Sequence, residues 1–122
     1  MNKFIGIGNL GSNPNLRTTP SGGAVTNFSI AIDRKFFKGT GENRELVKET
    51  DWIPVVCWGS LANVCSQYLT KGSKVSVTGT LRPRKYVDKE GNMKHTFEVV
   101  AQDVGFLDKI QSSESSAQNQ TG

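Results

Sequence analysis

The sequence predicts an all-β domain, a five-stranded Greek-key barrel with one helix between its third and fourth strands. Three observations point there. Apolar residues alternate at period two through most of the chain, the period switches once to that of a helix between Ser60 and Leu69, and glycines interrupt the first strand-like run where a barrel strand must bend. At 122 residues the chain suits one domain with a genuine core, without room for a catalytic domain and a second module.

In chain order, Phe4, Ile7 and Leu10 form a short apolar run broken by Gly6, Gly8 and Gly11, and Asn13-Pro14 then supplies a turn. Gly6-x-Gly8-x-x-Gly11 formally matches a dinucleotide-binding fingerprint. That motif must open a helix, however, and Asn13, Pro14 and Asn15 stand where the helix would continue, so a bend or a close backbone approach within a barrel is the better reading. After the turn Thr19-Pro-Ser-Gly-Gly23, Phe28, Ile30 and Ile32 alternate with Asn27, Ser29, Ala31 and Asp33, which gives a second strand from about Ala24 to Phe36. Its far end gathers Arg34, Lys35, Phe36, Phe37 and Lys38. Residues Gly39 to Lys48 are charged and turn-rich; they read as a mobile hairpin tip that closes over a ligand or, equally, as an ordinary solvated loop.

The third strand, Asp51 to Gly59, organises the rest. Alternation sets Ile53, Val55 and Cys57 on one side and Trp52, Pro54, Val56 and Trp58 on the other. An indole can stack on any nucleobase without reading its identity. From this stretch alone, burial of both faces with the tryptophans in the core is as good an account. Leu61, Val64, Cys65, Tyr68 and Leu69 then recur at the spacing of one helical face, with Ser60 as the expected N-cap and Gly72 as the expected stop. In the fourth strand Val75, Val77, Gly79 and Leu81 point inward, and the outward register continues through Arg82, Arg84 and Tyr86. Asp88 to Asn92 is a hairpin turn, Met93 to Ala101 a fifth strand, and Val104 to Leu107 a short closing strand. The domain is expected over residues 1–110; residues 111–122 hold almost nothing to bury and are expected to form a short disordered polar tail.

Charge and chemistry narrow the function. Fifteen Lys and Arg against 11 Asp and Glu, with every cation between Lys3 and Lys109, favour a polyanionic partner. Cys57 and Cys65 lack the spacing of a zinc site or of a secreted disulfide scaffold and read as reduced core thiols. His95 stands alone as an expected surface residue, the carboxylates sit mainly in turns and loops, and no nucleophile has an obvious base, so no enzyme, metal or cofactor is expected. Without an apolar leader or a membrane-length run, the expected location is the cytoplasm.

Three strands, one helix and two strands is the element order of an OB-fold, which commonly binds oligonucleotides across its second and third strands and the flanking loops. Gly8-Asn-Leu-Gly11, Thr19-Pro-Ser-Gly-Gly-Ala-Val25, Asn27-Phe-Ser29, Asp51-Trp52, Val55-Val56, Trp58-Gly59, Leu69-Thr-Lys-Gly-Ser73 and Gly79-Thr-Leu-Arg-Pro-Arg-Lys-Tyr86 together resemble the bacterial single-stranded DNA-binding proteins, over roughly Lys3 to Leu107. The resemblance implies a homotetramer, or a dimer-based assembly, that coats single-stranded DNA on the nucleoid during replication, recombination and repair. It implies base stacking at Phe36, Trp52, Trp58 and Tyr86 and phosphate contacts from Lys3, Arg17, Lys71, Arg82, Arg84 and Lys85. Arg34 and Lys35, beside Phe36, join the expected phosphate contacts. The chain departs from the family pattern in three places. Ile53-Pro54 stands where the family usually reads His-Arg, so the subunit contact of that His and the phosphate contact of that Arg do not carry over. Ser60 replaces a lysine. The tail carries Glu114 as its single acid, without the acidic tip that recruits replication partners in the family, so recruitment of that kind is expected to be absent or done another way. The rival readings are an RNA-binding OB domain of the cold-shock type and an OB-type protein-assembly module of a replication complex.

Overall fold

The chain folds into six strands and one α-helix, with a 3-10 turn at Gly41–Asn43: β1 Phe4–Leu10, β2 Asn15–Thr18, β3 Ala24–Lys38, β4 Glu45–Trp58, α1 Gly59–Tyr68, β5 Lys74–Val87 and β6 Met93–Phe106. These elements come from a computed structural model of the chain, which describes residues 1–108. The expected domain end at residue 110 and the expected polar tail over 111–122 lie outside the described residues.

The strands follow the order β1-β5-β6-β4-β3-β2, and β1 pairs back onto β3 at Asn9↔Ala31 and Leu10↔Ile30, which closes the sheet on itself. All ladders are antiparallel except β4 with β6, which meet in parallel at Val55↔Val99 and Val56↔Val100. The five long strands form the predicted barrel, with α1 between the third and fourth of them. Strand β2 is additional. All four of its residues are exposed, so it has no alternation to read, and it exists by backbone pairing to β3 from Asn15↔Asn27 to Thr18↔Ala24.

The core gathers the inward register of each strand: Ile30 and Phe28 from β3, Val55 and Cys57 from β4, Val75 and Val77 from β5, Val99 from β6. Helix α1 packs against it through Ala62 and Cys65, followed by Leu69. Val64 and Tyr68, expected on that face, are exposed. At 100° per residue the buried stripe centres between Cys65 and Leu69, which leaves those two at its margin. Nor is Ser60 the cap. The helix starts at Gly59 after Trp58 with no side-chain cap bond, and it ends at Tyr68, where the Leu69 N–H reaches the Cys65 carbonyl. Gly72, at φ +92°, turns the chain into β5 instead of ending the helix.

Two further expectations change. Strand β4 begins at Glu45, so the expected loop from Gly39 to Lys48 shrinks to Gly39–Arg44 and its remainder pairs with β3 up to Lys38↔Glu45. This part of the ladder is an arm with both faces wet, which is why its charged sequence carries no strand pattern. The fifth strand and the short closing strand are one strand, β6. Its ladder with β5 passes from Thr78↔Asp103 to Gly79↔Ala101, leaving Gln102 unpaired in a bulge that looks like a break in the alternation.

The glycines of β1 serve close approach. A β-carbon on Gly8 would lie 2.5 Å from the Ala31 carbonyl oxygen, so the β1–β3 closure requires a residue with no side chain there. Pro54 is tolerated within β4 because β6 pairs only with Val55 and Val56, leaving that edge of β4 unpaired at the proline.

Candidate nucleic-acid interface

Register decides which side chains share a surface. Residues directly opposite in a ladder share a face, and the face then alternates along each strand. In β4 and β3 the pairs Trp58↔Val25, Val56↔Asn27, Pro54↔Ser29 and Trp52↔Ala31 lie on the barrel exterior. The pair Val56↔Val100 carries this face onto β6, and Thr80↔Val100, Arg82↔Glu98, Arg84↔Thr96 and Tyr86↔Lys94 carry it onto β5. Trp52, Trp58, Arg82, Arg84 and Tyr86 therefore share one exterior face.

Exposure separates this face from a core. Trp52 is 59 % exposed, Trp58 53 % and Tyr86 46 %, whereas Val55 and Cys57 on the other side of β4 are buried. Val56 and Val25 are the exceptions on the outer face: buried, they line an open groove of about 390 Å³ together with Trp58, Arg17, Asn27, Arg84 and Glu98. The Trp52 ring lies against Gly11, where any β-carbon would run into its six-membered edge. Two of the five exterior residues are thus held by local sequence: one indole seated on a glycine, the other bordering a groove with an arginine on its far wall.

Phe36 is placed differently. It pairs with Val47, in register with Phe28 and Ile30, on the face opposite the tryptophans, and remains 39 % exposed because the arm extends past the barrel. Arg34 lies 5.9 Å from the Phe36 ring centroid. Its guanidinium is bound to Asp51 at 2.6 Å and Glu49 at 3.1 Å, and the hydrogen bond and charge of Asp51 hold its pKa above the ordinary arginine value. Of the eight expected phosphate contacts, Arg34 is the most fully committed within the protein. Arg84 lies 3.6 Å from Glu98, and Arg17 donates to the Asn27 side chain. Lys3, Lys35, Lys71, Arg82 and Lys85 are exposed and have no ion pair among the described residues.

These cations do not all converge. Lys3 lies near the middle of β5, where Asn2 exchanges hydrogen bonds with the Leu81 backbone, while Lys71 sits at the opposite end of β1, its N–H donating to the Asn13 side chain. Lys85 alternates to the reverse face of the β5–β6 arm, opposite His95. Lys35 shares the tryptophan face, as does Phe37, which no family position singled out. Only the pairing of Trp52 with Ala31 reveals that Phe37 and not Phe36 is in step with the indoles, and that pairing cannot be read from one strand alone.

The two cysteines approach to 4.0 Å between sulfurs, both buried and without a disulfide between them; the hydrogen bond to Cys65 and burial push the Cys57 thiol pKa up. Among the described residues no three His, Cys, Asp or Glu side chains gather as a metal site, and no helix is long and apolar enough to cross a membrane.

A sequence model of the Single-strand binding protein family matches residues 1–107. Among solved structures, the chain is similar to a Plasmodium falciparum SSB in complex with ssDNA, with a TM-score of 0.77 and 30% sequence identity, covering 88% of this chain and 96% of that one.

Proposed function

Because the chain belongs to the Single-strand binding protein family, we propose that it binds single-stranded DNA without regard to sequence, stacking unpaired bases on Trp52, Trp58 and Tyr86, with Phe36 on the reverse of the arm, while lysines and arginines neutralise the phosphates. The observation that carries this reading is the exterior face itself. Two indoles and a phenol stay about half exposed beside Arg82 and Arg84, where a core role would have sealed them. Stacking on aromatic rings contributes about 1 to 3 kcal/mol per base, and counterion release adds a salt-dependent term. Neither reads a base edge, and only unpaired bases offer their faces, which selects single strands over duplex.

The test is a fluorescence titration. Trp52 and Trp58 emission should be quenched by oligo(dT) and not by duplex of equal length; equal quenching by duplex, or none by either, refutes the reading. Competition between matched DNA and RNA strands tests the RNA-binding alternative, and quenching with no other protein present argues against a pure protein-assembly module. No catalytic step enters the reading.

Assembly and setting complete it. Ile5 and Ile7 are exposed on the outer register of β1, opposite Thr78 and Ser76, an apolar strip that supports self-association into a dimer or tetramer. Light scattering with and without poly(dT) reads this directly. Coating of single strands in replication, recombination and repair, in the cytoplasm and on the nucleoid, is the setting that follows, and two free thiols fit a reducing compartment.

A further inference from the structure

The outer face of the β3–β4 arm repeats the pattern of the barrel exterior. Trp58 stands opposite Val25, Trp52 opposite Ala31, and Phe37 occupies the rung that follows at the same six-residue step. At a strand rise of about 3.3 Å per residue, successive rings are about 20 Å apart along one face. Phe37 is 60 % exposed, more than any of the four family positions. The Arg44 guanidinium lies 4.4 Å from its ring centroid, within cation–π range, so a cation is already poised over the aromatic surface.

The rungs between Trp52 and Phe37 are charged in a particular way. Asp33 faces Thr50, accepting a hydrogen bond from its hydroxyl at 2.9 Å, and is neutralised by Lys48 at 3.6 Å. Lys35 faces Lys48 directly. Because Asp33 already holds Lys48, Lys35 is the cation of this rung with no ion pair among the described residues, and it stands where an anion passing along the face would meet it. From Trp52 outward the rungs on this face are Asp33–Thr50, Lys35–Lys48 and then Phe37 beside Arg44, so a free lysine stands between two exposed rings, the combination of cation and flat surface that a single strand uses.

We infer that Phe37, with Arg44 over its ring and Lys35 one rung below on the same face, is a further stacking and phosphate site for single-stranded nucleic acid, so that the bound strand continues from the barrel onto the outer face of the arm. The inference rests on the proposed single-strand binding and extends its footprint.

The experiment compares Phe37→Leu with the wild-type chain on two oligonucleotides, oligo(dT) of about 5 and about 16 nucleotides, the range that one OB-fold spans. Leucine keeps an apolar side chain on an exposed arm and removes the flat ring; the thermal midpoint serves as the folding control. The long strand should bind the variant at least about 5-fold more weakly, and the short one should bind both chains alike. Equal affinity for the long strand overturns the inference and leaves the barrel reading intact, whereas a wild-type chain that binds neither strand overturns both. A second readout keeps a ring in place. Phe37→Trp in a Trp52→Phe, Trp58→Phe background should lose fluorescence on the long strand, and an unchanged signal at saturation overturns the inference.

Discussion

Replacing Trp52 by leucine separates the covering of the barrel by its ring from the base-stacking role proposed for it. The side chain is 59 % exposed, so about 40 % of an indole that can hide about 250 Å² is covered, or about 100 Å². At about 25 cal/mol per Å², that burial is worth at most about 2.5 kcal/mol, and leucine, which also covers Gly11, retains about half of it. The expected cost to folding is therefore about 1 kcal/mol, a fall of about 4–8 °C in midpoint for a domain of this size. Loss of the stacking surface should cost about 1–3 kcal/mol in binding, which is about 5- to 150-fold in Kd for oligo(dT). Thermal unfolding and a titration followed by Trp58 fluorescence measure both. A variant that binds as tightly as the wild-type chain while losing 3 kcal/mol or more of stability would show that the ring is structural, and the reasoning from exposure would fail.

Other outcomes follow from single features. Arg82→Ala should reduce the log–log salt slope of binding by about 0.7, one phosphate's share, whereas the charge-neutral pair Arg34→Gln, Asp51→Asn should leave it unchanged, because Arg34 is already occupied by Asp51 and Glu49. Gly8→Ala should destabilise the fold by about 1–3 kcal/mol by forcing a β-carbon against the Ala31 carbonyl, read by urea unfolding. Cys57→Ser should cost a similar amount through a hydroxyl buried beside Cys65. With the Cys57 thiol pKa raised and that of Cys65 lowered by the hydrogen bond between them, the Cys57 proton persists as pH rises, so labelling of Cys57 in the native protein by a disulfide reagent, resolved from Cys65 by peptide mapping, should stay at the unfolding rate on going from about pH 7 to 9.

What could be read from the sequence was whatever burial had written into it. The parity of Trp52 and Trp58 against Val55 and Cys57 holds because one side of β4 meets the core, and Val75 and Val77 declare β5 in the same way. Where burial stops, legibility stops. Strand β2 and the residues 45–50 of β4 are held by backbone pairing under side chains that are exposed or, like Val47, only partly covered, so nothing in their order distinguishes them from loop. The bulge at Gln102 hid the continuity of β6 by shifting its phase by one residue. In the site, the tryptophans were visible from one strand, but the relation of Phe36 and Phe37 to them depends on which residue of β3 meets which of β4. That relation belongs to the pair of strands.

The two arms, where β3 with β4 and β5 with β6 run on past the barrel, also constrain how such a chain can change length. Their ladders end at Lys38↔Glu45 and Val87↔Met93, and among the described residues no third strand lies alongside. Residues can be gained or lost at either tip without disturbing a packed interior, provided they come as matched additions to both partners. A lone insertion in one partner would exchange front for back in every residue beyond it. Variants of different reach should therefore differ by whole rungs, each keeping its rings on the side where the first of them already stands.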